Sequence, residues 1–299
     1  MKIPYYPGCT LKSTAKHFED SAIESAKKIG IEFVELPRWN CCGVVAPLAT
    51  DDIMRHVAPV RNMIRVLEMN RDGLVKDEKR LLTLCSMCYS TLKRSNLRVN
   101  ELIDDLDVLN DFMYKEEMNY DGSVKIVHFL EVLKEMGFDK VKDKVVKSLE
   151  NLNVAAYYGC KLLRPKEIGI DNSEVPIIFE DFISAISANP VDWHNKSKCC
   201  GSFLTVDNKE VVVDLGYDIL TDAQKSGADI IVTSCPLCAY NLDNRQKNIK
   251  EKYPEFKEIP VVYFTQLMAL AFGFPKEITG FDGNYINSVK LFKSKNIKV

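Results

Sequence analysis

The adjacent pair Cys199-Cys200, followed directly by Gly201, decides how this chain is organised. A single cysteine, Cys160, precedes the pair with 38 residues in between, and the motif Cys235-Pro236-Leu237-Cys238 follows the pair. Five thiols at such clustered spacings are typical of metal or redox chemistry, because isolated structural cysteines show no such grouping.

The same layout occurs once before in the chain. Cys9 precedes Cys41-Cys42-Gly43 with 31 residues in between, and Cys85-Ser86-Met87-Cys88 follows. The two sets together use all ten cysteines of the protein. Other landmarks repeat in the same order, such as Val127-His128-Phe129 and Val262-Tyr263-Phe264. The chain is therefore predicted to contain two copies of one unit.

Size and composition are those of an ordinary globular protein. The chain has 299 residues, of which 46% are hydrophobic and 27% charged, which is enough for two domains of common size. Its formal net charge is −2, so a general electrostatic attraction to nucleic acid or acidic membranes is not indicated.

No targeting segment or membrane span is expected. Residues 1–9 hold one lysine and already reach a motif cysteine, which leaves no room for an apolar signal core. The longest apolar stretch, residues 261–274, is too short to span a bilayer. We therefore expect a cytoplasmic protein, where reducing conditions disfavour structural disulfides.

Alternating helix and strand signals predict an α/β fold with two tandem domains, each with a small, mostly parallel sheet flanked by helices. We expect a first domain over residues 1–145, with an extra helical segment near 101–118, and a second over 146–299, with a basic C-terminal tail. Residues 138–153 are expected to join the two halves.

Start and stop signals in the sequence predict several individual strands and helices. They are strands at 2–6, 31–36, 81–84 and 229–233, a helix capped by Ser13 or Thr14 and stopped by Gly30, a helix at 51–69 with a kink at Pro59, and a helix at 209–225. Four cysteines then fall where a strand runs into a loop, namely Cys9, Cys85, Cys160 and Cys235. Ligands collect beyond the carboxyl ends of parallel strands, so one metal pocket is expected in each half.

Five thiolates per half are more than common metal sites use. Structural zinc and a standard iron–sulfur cubane each take four. Neighbouring side chains on an extended backbone diverge, so the two thiolates of an adjacent pair would reach different irons of one cluster. Gly43 and Gly201 have no side chain and would let the backbone approach the sulfurs. The residues thus favour an unusual iron–sulfur cluster in each half. A cubane with a spare thiol, structural zinc and a dithiol relay remain alternatives.

The double pattern of Cys, Cys-Cys-Gly and Cys-x-x-Cys resembles the cysteine-rich CCG domain family. Two such domains with little else are similar to the B subunits of methanogen heterodisulfide reductases. The resemblance implies two noncubane [4Fe–4S] clusters, each held by five cysteines. The implied ligands are Cys9, Cys41, Cys42, Cys85 and Cys88 for one cluster, and Cys160, Cys199, Cys200, Cys235 and Cys238 for the other.

The resemblance also implies an activity. It is the reduction of the mixed disulfide of coenzyme M and coenzyme B (CoM-S-S-CoB) to two thiols in methanogenesis. Such a reduction needs two electrons, which two clusters facing each other across a pseudo-twofold axis could supply one each. The alternatives are the iron–sulfur electron-transfer subunit of another CCG oxidoreductase, of the thiol:fumarate reductase or lactate or glycolate oxidase type, and a non-catalytic carrier or assembly scaffold.

The substrate's sulfonate, phosphate and carboxylate groups would need cations nearby. Family members often carry histidine after the first cysteine of the second set, where this chain has Lys161. Lys161 and Arg164 are therefore predicted to bind the substrate, with a surface role as the alternative and with Lys12 and Lys198 as weaker candidates. The histidines 17, 56 and 128 are expected to be structural.

No flavin-, nicotinamide- or nucleotide-binding motif is present, so electrons are expected from other proteins. The family implies two partner subunits of the same enzyme, a ferredoxin-like iron–sulfur protein (its C subunit) and a flavin-containing protein (its A subunit). A hydrogenase or a formate dehydrogenase would supply these partners with electrons.

Overall fold

The first half of the chain forms a sheet of four parallel strands. The computed structural model describes residues 1–44 and 52–299. The strands are β1 (Lys2–Tyr6), β2 (Glu32–Glu35), β3 (Arg80–Thr83) and β4 (Lys125–His128), in the order β2-β1-β3-β4. β1, β3 and β4 are buried except at their first residues, whereas the edge strand β2 is partly exposed. Burial on both faces is expected of a parallel sheet that helices cover.

Helices connect these strands and cover the sheet. They are α1 (Lys16–Lys28), a 3-10 turn (Ile53–His56), α2 (Val57–Arg71), α3 (Ser86–Glu101), α4 (Ile103–Phe112), α5 (Phe129–Met136) and α6 (Asp139–Lys142).

The second half repeats the arrangement. Its strands are β5 (Leu149–Ala156), β6 (Ala188–Val191), β7 (Ile230–Thr233) and β8 (Val261–Tyr263), in the order β6-β5-β7-β8. All neighbours are again parallel. The order of strands is the same as in the first sheet, and the predicted repeat and the α/β fold class are thereby confirmed.

The second sheet is also covered by helical segments. They are α7 (Ile178–Ala185), 3-10 turns (His194–Ser197 and Ser202–Leu204), α8 (Lys209–Lys225), α9 (Pro236–Ala239), a π-helical segment (Tyr240–Asn244), α10 (Gln246–Lys252), α11 (Phe264–Ala271), α12 (Lys276–Thr279), a 3-10 turn (Phe281–Gly283) and α13 (Val289–Ser294).

The predicted cap of the first helix is wrong. α1 begins at Lys16, and Ala15 occupies the N-cap position without any side-chain hydrogen bond. Ser13 Oγ donates instead to the carbonyl of Cys9 at 3.0 Å. The hydroxyl therefore holds the loop that carries the first cysteine rather than the helix that follows it.

The helix expected over residues 51–69 is divided. A 3-10 turn leads into α2, and Pro59 lies in the first turn of α2, where its missing N–H removes no intrahelical hydrogen bond. The sequence predicts a kink at Pro59, whereas the change from 3-10 to α-helix lies between His56 and Val57. Residue 51 falls outside the described part of the chain.

The segment between the halves is shorter than expected. Residues 138–153 contain α6 and the first residues of β5, so their second part belongs to the second sheet. The extra helical sequence near residue 101 contains α4, as expected. The domain division at residue 145 falls between α6 and β5 and stays a prediction.

The two halves are packed against each other through α1 and α11. The ring of Phe18 stacks on that of Tyr263 with centroids 4.1 Å apart, and Ser21 Oγ lies 2.7 Å from Thr265 Oγ1 in the buried contact. α11 is buried all round, as is typical of a helix in the centre of a protein. The first helix of one half therefore packs against a helix of the other half.

Candidate metal centre and adjoining clefts

The cysteines lie where strands end, as the sequence predicts. Cys9 follows β1 and Cys160 follows β5. Cys85 and Cys235 lie two residues after the ends of β3 and β7 and occupy the N-cap positions of α3 and α9. Because the strands are parallel, these loops meet at one edge of each sheet.

Each adjacent pair sends its two thiols to different partners. In the first set, Cys41 Sγ lies 3.9 Å from Cys9 Sγ, while Cys42 Sγ lies 3.6 Å from Cys88 Sγ. The first two of these thiols are exposed and the last two are buried. Each thiol of the pair therefore has a different partner outside the pair, while the Cys41 and Cys42 thiols also hydrogen-bond to each other.

The second set repeats this geometry. Cys199 Sγ lies 3.8 Å from Cys160 Sγ, and Cys200 Sγ lies 3.4 Å from Cys238 Sγ. The Gly201 N–H points at Cys199 Sγ at 3.4 Å, so the backbone approaches the sulfur as expected after an adjacent pair.

Two other glycines approach the sulfurs from the opposite side. A Cβ on Gly8 would lie 3.1 Å from Cys88 Sγ, and one on Gly159 would lie 3.4 Å from Cys238 Sγ; both residues have positive φ. A side chain at either position would be strained and would press on a thiol. Both glycines thus keep space free beside a cysteine sulfur.

A buried tyrosine holds the loop in front of each adjacent pair. Tyr6 OH donates to the carbonyl of Asn40 at 3.0 Å, and Tyr157 OH donates to the carbonyl of Lys198 at 2.6 Å. Burial raises the pKa of both phenols, so both stay protonated donors. Each hydroxyl therefore fixes the residue that immediately precedes a Cys-Cys pair.

The two sets meet between the halves. Ser86 Oγ lies 2.7 Å from Ser234 Oγ, and the Ser86 N–H donates to the Ser234 carbonyl at 3.1 Å. The thiols of Cys85 and Cys235 are in hydrogen-bonding contact at the same place. We name this contact the junction. The ten thiols consequently form one cluster of two sets rather than two distant groups.

Neighbouring donors favour the thiolate form of several cysteines. Hydrogen bonding from Cys160 lowers the pKa of Cys199 to about 6. Hydrogen bonding from Cys41 and Cys88 lowers the pKa of Cys42 well below its usual value. The same hydrogen bonds raise the pKa of the partner thiols, such as Cys88 and Cys160, so each pair has one more acidic member, and cysteine binds metal as thiolate.

The donor set fits a multi-iron group better than a single ion. Several thiols contact two others, so that Cys42 is hydrogen-bonded to both Cys41 and Cys88. Soft sulfur ligands, five per half, and the space beside Gly8 and Gly159 suit an iron–sulfur cluster. The assignment of the ten cysteines as its ligands stays a prediction.

A cleft of about 580 Å³ opens beside the first Cys-x-x-Cys motif. Its walls come from α3, from the turn before α2 and from the second half, and they include Arg55, Arg94 and Lys161. Lys161 Nζ lies 5.1 Å from the ring centroid of Phe203, which also lines the cleft. We name it the basic cleft. Three cations beside an aromatic ring can bind an anionic molecule with an apolar part.

His56 contributes hydrogen bonds to the basic cleft rather than charge. Its Nδ1 lies 2.8 Å from Ser95 Oγ, and its Nε2 accepts from Arg55 Nε at 3.2 Å. Burial and the charge of Arg55 lower the pKa of His56 to about 4. From the sequence this residue is expected to be structural, and only the fold reveals that it lines a cleft.

The structure separates the cations that the sequence grouped together. Lys161 lies in the basic cleft, but Arg164 points to a surface loop, with its Nη2 3.5 Å from the Ser173 carbonyl and 3.6 Å from Glu174 Oε1. Lys12 forms an ion pair with Glu19 at 2.8 Å and Lys198 one with Asp218 at 3.0 Å. The substrate-binding roles stay predictions, and the geometry favours Lys161.

A second cleft, of about 400 Å³, opens beside the second Cys-x-x-Cys motif. Asp243, His17 and three tyrosines line it. Its walls come from the helical segment after Cys238 and from the loop after Cys9, so its origin mirrors that of the basic cleft. We name it the acidic cleft.

Comparison with known proteins gives a consistent result. The family model of the cysteine-rich domain CCG matches residues 3–93 and 154–243, which contain all ten cysteines. The chain is 32% identical over 288 residues, 96% of its length and 98% of the relative's, to the 8-methylmenaquinol:fumarate reductase membrane anchor subunit of Wolinella succinogenes.

A second relative carries a different name. The chain is 29% identical, over 97% of its length and 95% of the relative's, to the B subunit of the ferredoxin/F420H2-dependent CoB-CoM heterodisulfide reductase of Methanosarcina acetivorans. Among solved structures, a hypothetical protein from Helicobacter pylori has the same fold, with a TM-score of 0.73 at 14% identity. The match covers 95% of this chain and 51% of that one.

One relative is named a membrane anchor, so the length and apolar character of the helices matter. Over the described ranges, none of them is both long and apolar enough to cross a membrane.

Proposed function

Because this chain belongs to the cysteine-rich CCG domain family, we propose that it is the catalytic subunit of a heterodisulfide reductase that reduces CoM-S-S-CoB to two thiols. Its relatives are subunits of oxidoreductases, and a multi-subunit oxidoreductase is the setting that this role requires. The observation that carries the proposal is the junction, at which the two five-cysteine sets meet, together with a cleft that Lys161 and Arg94 line.

Each set of five cysteines would hold one noncubane [4Fe–4S] cluster. When bound, the two clusters supply one electron each and bind the departing sulfurs as Lewis acids. The chain's own contribution is position: Cys85 and Cys235 are in contact, so two groups held there lie close enough to act on one sulfur–sulfur bond.

The basic cleft would bind the charged arms of the substrate. Lys161 follows Cys160 directly and Arg94 lies on the helix that begins after Cys85, so cations from both halves line the cleft. The ring of Phe203 offers an apolar wall for an alkyl chain. An anionic disulfide held here by its charged ends presents its central sulfurs toward the cysteines.

Electrons must arrive from partner proteins. We propose two of them, a ferredoxin-like iron–sulfur subunit and a flavin-containing subunit, fed by a hydrogenase or a formate dehydrogenase, in the cytoplasm. The exposed thiols of Cys9, Cys41 and Cys199 support close approach of a partner or of the substrate to either set.

The test is turnover by the pure subunit loaded with iron and sulfide. With reduced viologen as donor, it should reduce CoM-S-S-CoB and produce two thiols per disulfide. Lys161→Gln should raise KM about tenfold, since one charged hydrogen bond contributes roughly 1.5–3 kcal/mol. Lys166→Gln, which changes an exposed lysine of the same loop, is the matched control and should leave KM unchanged. An enzyme that is reduced by viologen but converts no disulfide contradicts the proposal.

A second candidate function is electron transfer within a different CCG oxidoreductase. It is favoured by the 32% identity to a subunit of a fumarate reductase. In that case the chain would relay electrons between a partner and fumarate-reducing or hydroxy-acid-oxidising subunits, and the basic cleft would bind no disulfide. Failure of CoM-S-S-CoB to protect the cleft lysine Lys161 from chemical modification would support this candidate.

A further inference from the structure

The acidic cleft and the basic cleft have corresponding positions and opposite chemistry. Each is bounded by the helix that follows a Cys-x-x-Cys motif and by the loop that follows the first cysteine of the other half. The helix contributes Arg94 to one cleft and Asp243 to the other. An anionic disulfide that suits the first cleft is repelled from the second, so the second must serve another purpose.

Asp243 is a buried carboxylate with room beside it. Only 3% of the residue is exposed, yet it lines the acidic cleft. Its Oδ2 accepts the Tyr285 N–H at 2.6 Å and its Oδ1 accepts the Ile286 N–H at 3.0 Å. Burial raises the pKa of Asp243 to about 7, and the two N–H groups offset only part of this effect. The carboxyl group can therefore both hold and release a proton near neutral pH.

The backbone is irregular where Asp243 sits. Residues Tyr240–Asn244 form a π-helical segment, whereas the corresponding α3 runs as a regular α-helix from Ser86 to Glu101. π-helical turns are rare and occur frequently at functional sites. The irregularity occurs in only one of the two corresponding helices, at the residue whose charge also differs.

Tyr263 connects the acidic cleft with the strand that precedes the junction, because it pairs in register with Thr233, two residues before Cys235. It ends β8, lines the acidic cleft and is 4% exposed. Burial raises the pKa of its phenol, and the negative charges of Cys235, Cys85 and Asp243 raise it further. The phenol thus interacts electrostatically with both the junction thiols and the carboxylate of Asp243, and it stays protonated.

The other groups around Asp243 do not fix its charge. His17 faces the cleft from α1, and burial lowers its pKa to about 4, so it is neutral. Tyr240 and Tyr285 complete the polar wall. Arg245, on the same segment, turns away and donates to the Thr205 carbonyl at 2.8 Å.

We propose that the acidic cleft is a proton-delivery site, in which Asp243 takes protons from solvent and passes them through the hydroxyl of Tyr263 to the junction. This rests on the proposed function. Bound clusters would supply the two electrons that cleave the sulfur–sulfur bond, and two protons taken from water in the cleft would form the two S–H bonds. Asp243 returns to its starting state after each transfer, so electrons, protons and sulfurs balance. Substrate and protons then reach the junction from different clefts.

Asp243→Asn keeps one acceptor for a backbone N–H but cannot carry a proton. We expect kcat at pH 7 to fall about 100-fold, within the range that proton transfer by a positioned side chain contributes, with KM for CoM-S-S-CoB unchanged. Tyr263→Phe keeps the ring stack on Phe18 and should lower kcat about tenfold. Asp243→Glu should restore part of the loss, and Asp192→Asn, at an almost fully exposed side chain, should change nothing.

A second measurement does not depend on turnover. Reduction potentials of the loaded protein, measured by redox titration between about pH 5.5 and 8.5, should depend on pH near neutrality in the wild type and lose that dependence in Asp243→Asn. A carboxylate that merely anchors the 285–286 loop would leave both this dependence and the pH profile of kcat unchanged, and that result would overturn the proposal. If the wild type reduces no disulfide, the proposed function fails, while the potentials still test the proton site.

Discussion

The two helices that follow the Cys-x-x-Cys motifs begin alike and then differ. α3 runs for four turns as a regular helix and presents Arg94 to the basic cleft, whereas α9 passes into a π-helical segment that presents Asp243 to the acidic cleft. The sulfur-bearing residues at their starts are the same in both halves. Duplication has therefore kept the metal-binding framework and changed what surrounds it.

The largest expected effect tests whether the two halves are equivalent at the metal. Cys42→Ser and Cys200→Ser should each lose about four of about eight irons per chain and abolish disulfide reduction. Iron and acid-labile sulfide analysis gives the measurement. If one variant lost iron and the other retained all of it, the equivalence drawn between the two sets would be wrong.

The charge difference between the clefts predicts the next largest effect. Arg94→Glu should raise KM for an anionic disulfide about 100-fold, because a favourable charged contact becomes a repulsive one worth about 3 kcal/mol in total. The KM for an uncharged disulfide should change little. Steady-state kinetics with both substrates, at two ionic strengths, checks this, and equal losses for both would point to a folding defect instead.

The clefts should also give opposite pH dependences of stability. The pKa of His56 is lowered to about 4, so its contribution to the free energy of unfolding is lost as the pH falls from about 6.5 toward 4. The pKa of Asp243 is raised to about 7, so its contribution is largest in acid and is lost as the pH rises from about 4 to 7.

Thermal unfolding of His56→Gln and Asp243→Asn against the wild type isolates these two contributions, each on the order of 1–3 kcal/mol. Difference curves are needed because burial also lowers the pKa values of His17 and His128. Slopes of the same sign in the two difference curves would contradict the assignment of charge states to the clefts.

The smallest expected effect concerns the junction itself. Ser86→Ala and Ser234→Ala each remove one partner of the same buried hydroxyl pair, so each should cost about 1–2 kcal/mol of stability. The double variant should cost less than the sum, since it leaves no hydroxyl unpaired. A double variant that costs as much as the two single variants together would contradict the pairing of the two hydroxyls.

The framework of the fold and of the candidate metal site could be predicted from the sequence because both depend on local patterns, namely strand runs and the spacing of the cysteines. Strand runs ending at Cys85 and Cys235 predicted the parallel sheets, and the repeated spacing predicted the grouping of the ten thiols. Ser13 gave a wrong helix cap because a short hydroxyl side chain bonds any nearby carbonyl, here that of Cys9.

The clefts could not be predicted in this way. Lys161 and Arg94 are far apart in sequence, and only the packing of the halves brings them together. Arg164 is three residues from Lys161 but turns to a surface loop, so closeness in sequence was a poor guide. The π-helical segment at Asp243 has no pattern in a single sequence that would distinguish it from an ordinary helix.

The contact between Cys85 and Cys235 joins the same place in each repeat to its counterpart, as in a self-complementary interface between identical subunits. A homodimer of one ancestral repeat would satisfy it, but such a dimer must carry identical residues in both of its clefts. Fusion of the two genes removes that constraint, so a single point mutation can alter one side and spare the other. Because the repeats are covalently linked, this molecule can keep the same cysteine arrangement in both halves and yet carry different charged residues in its two clefts.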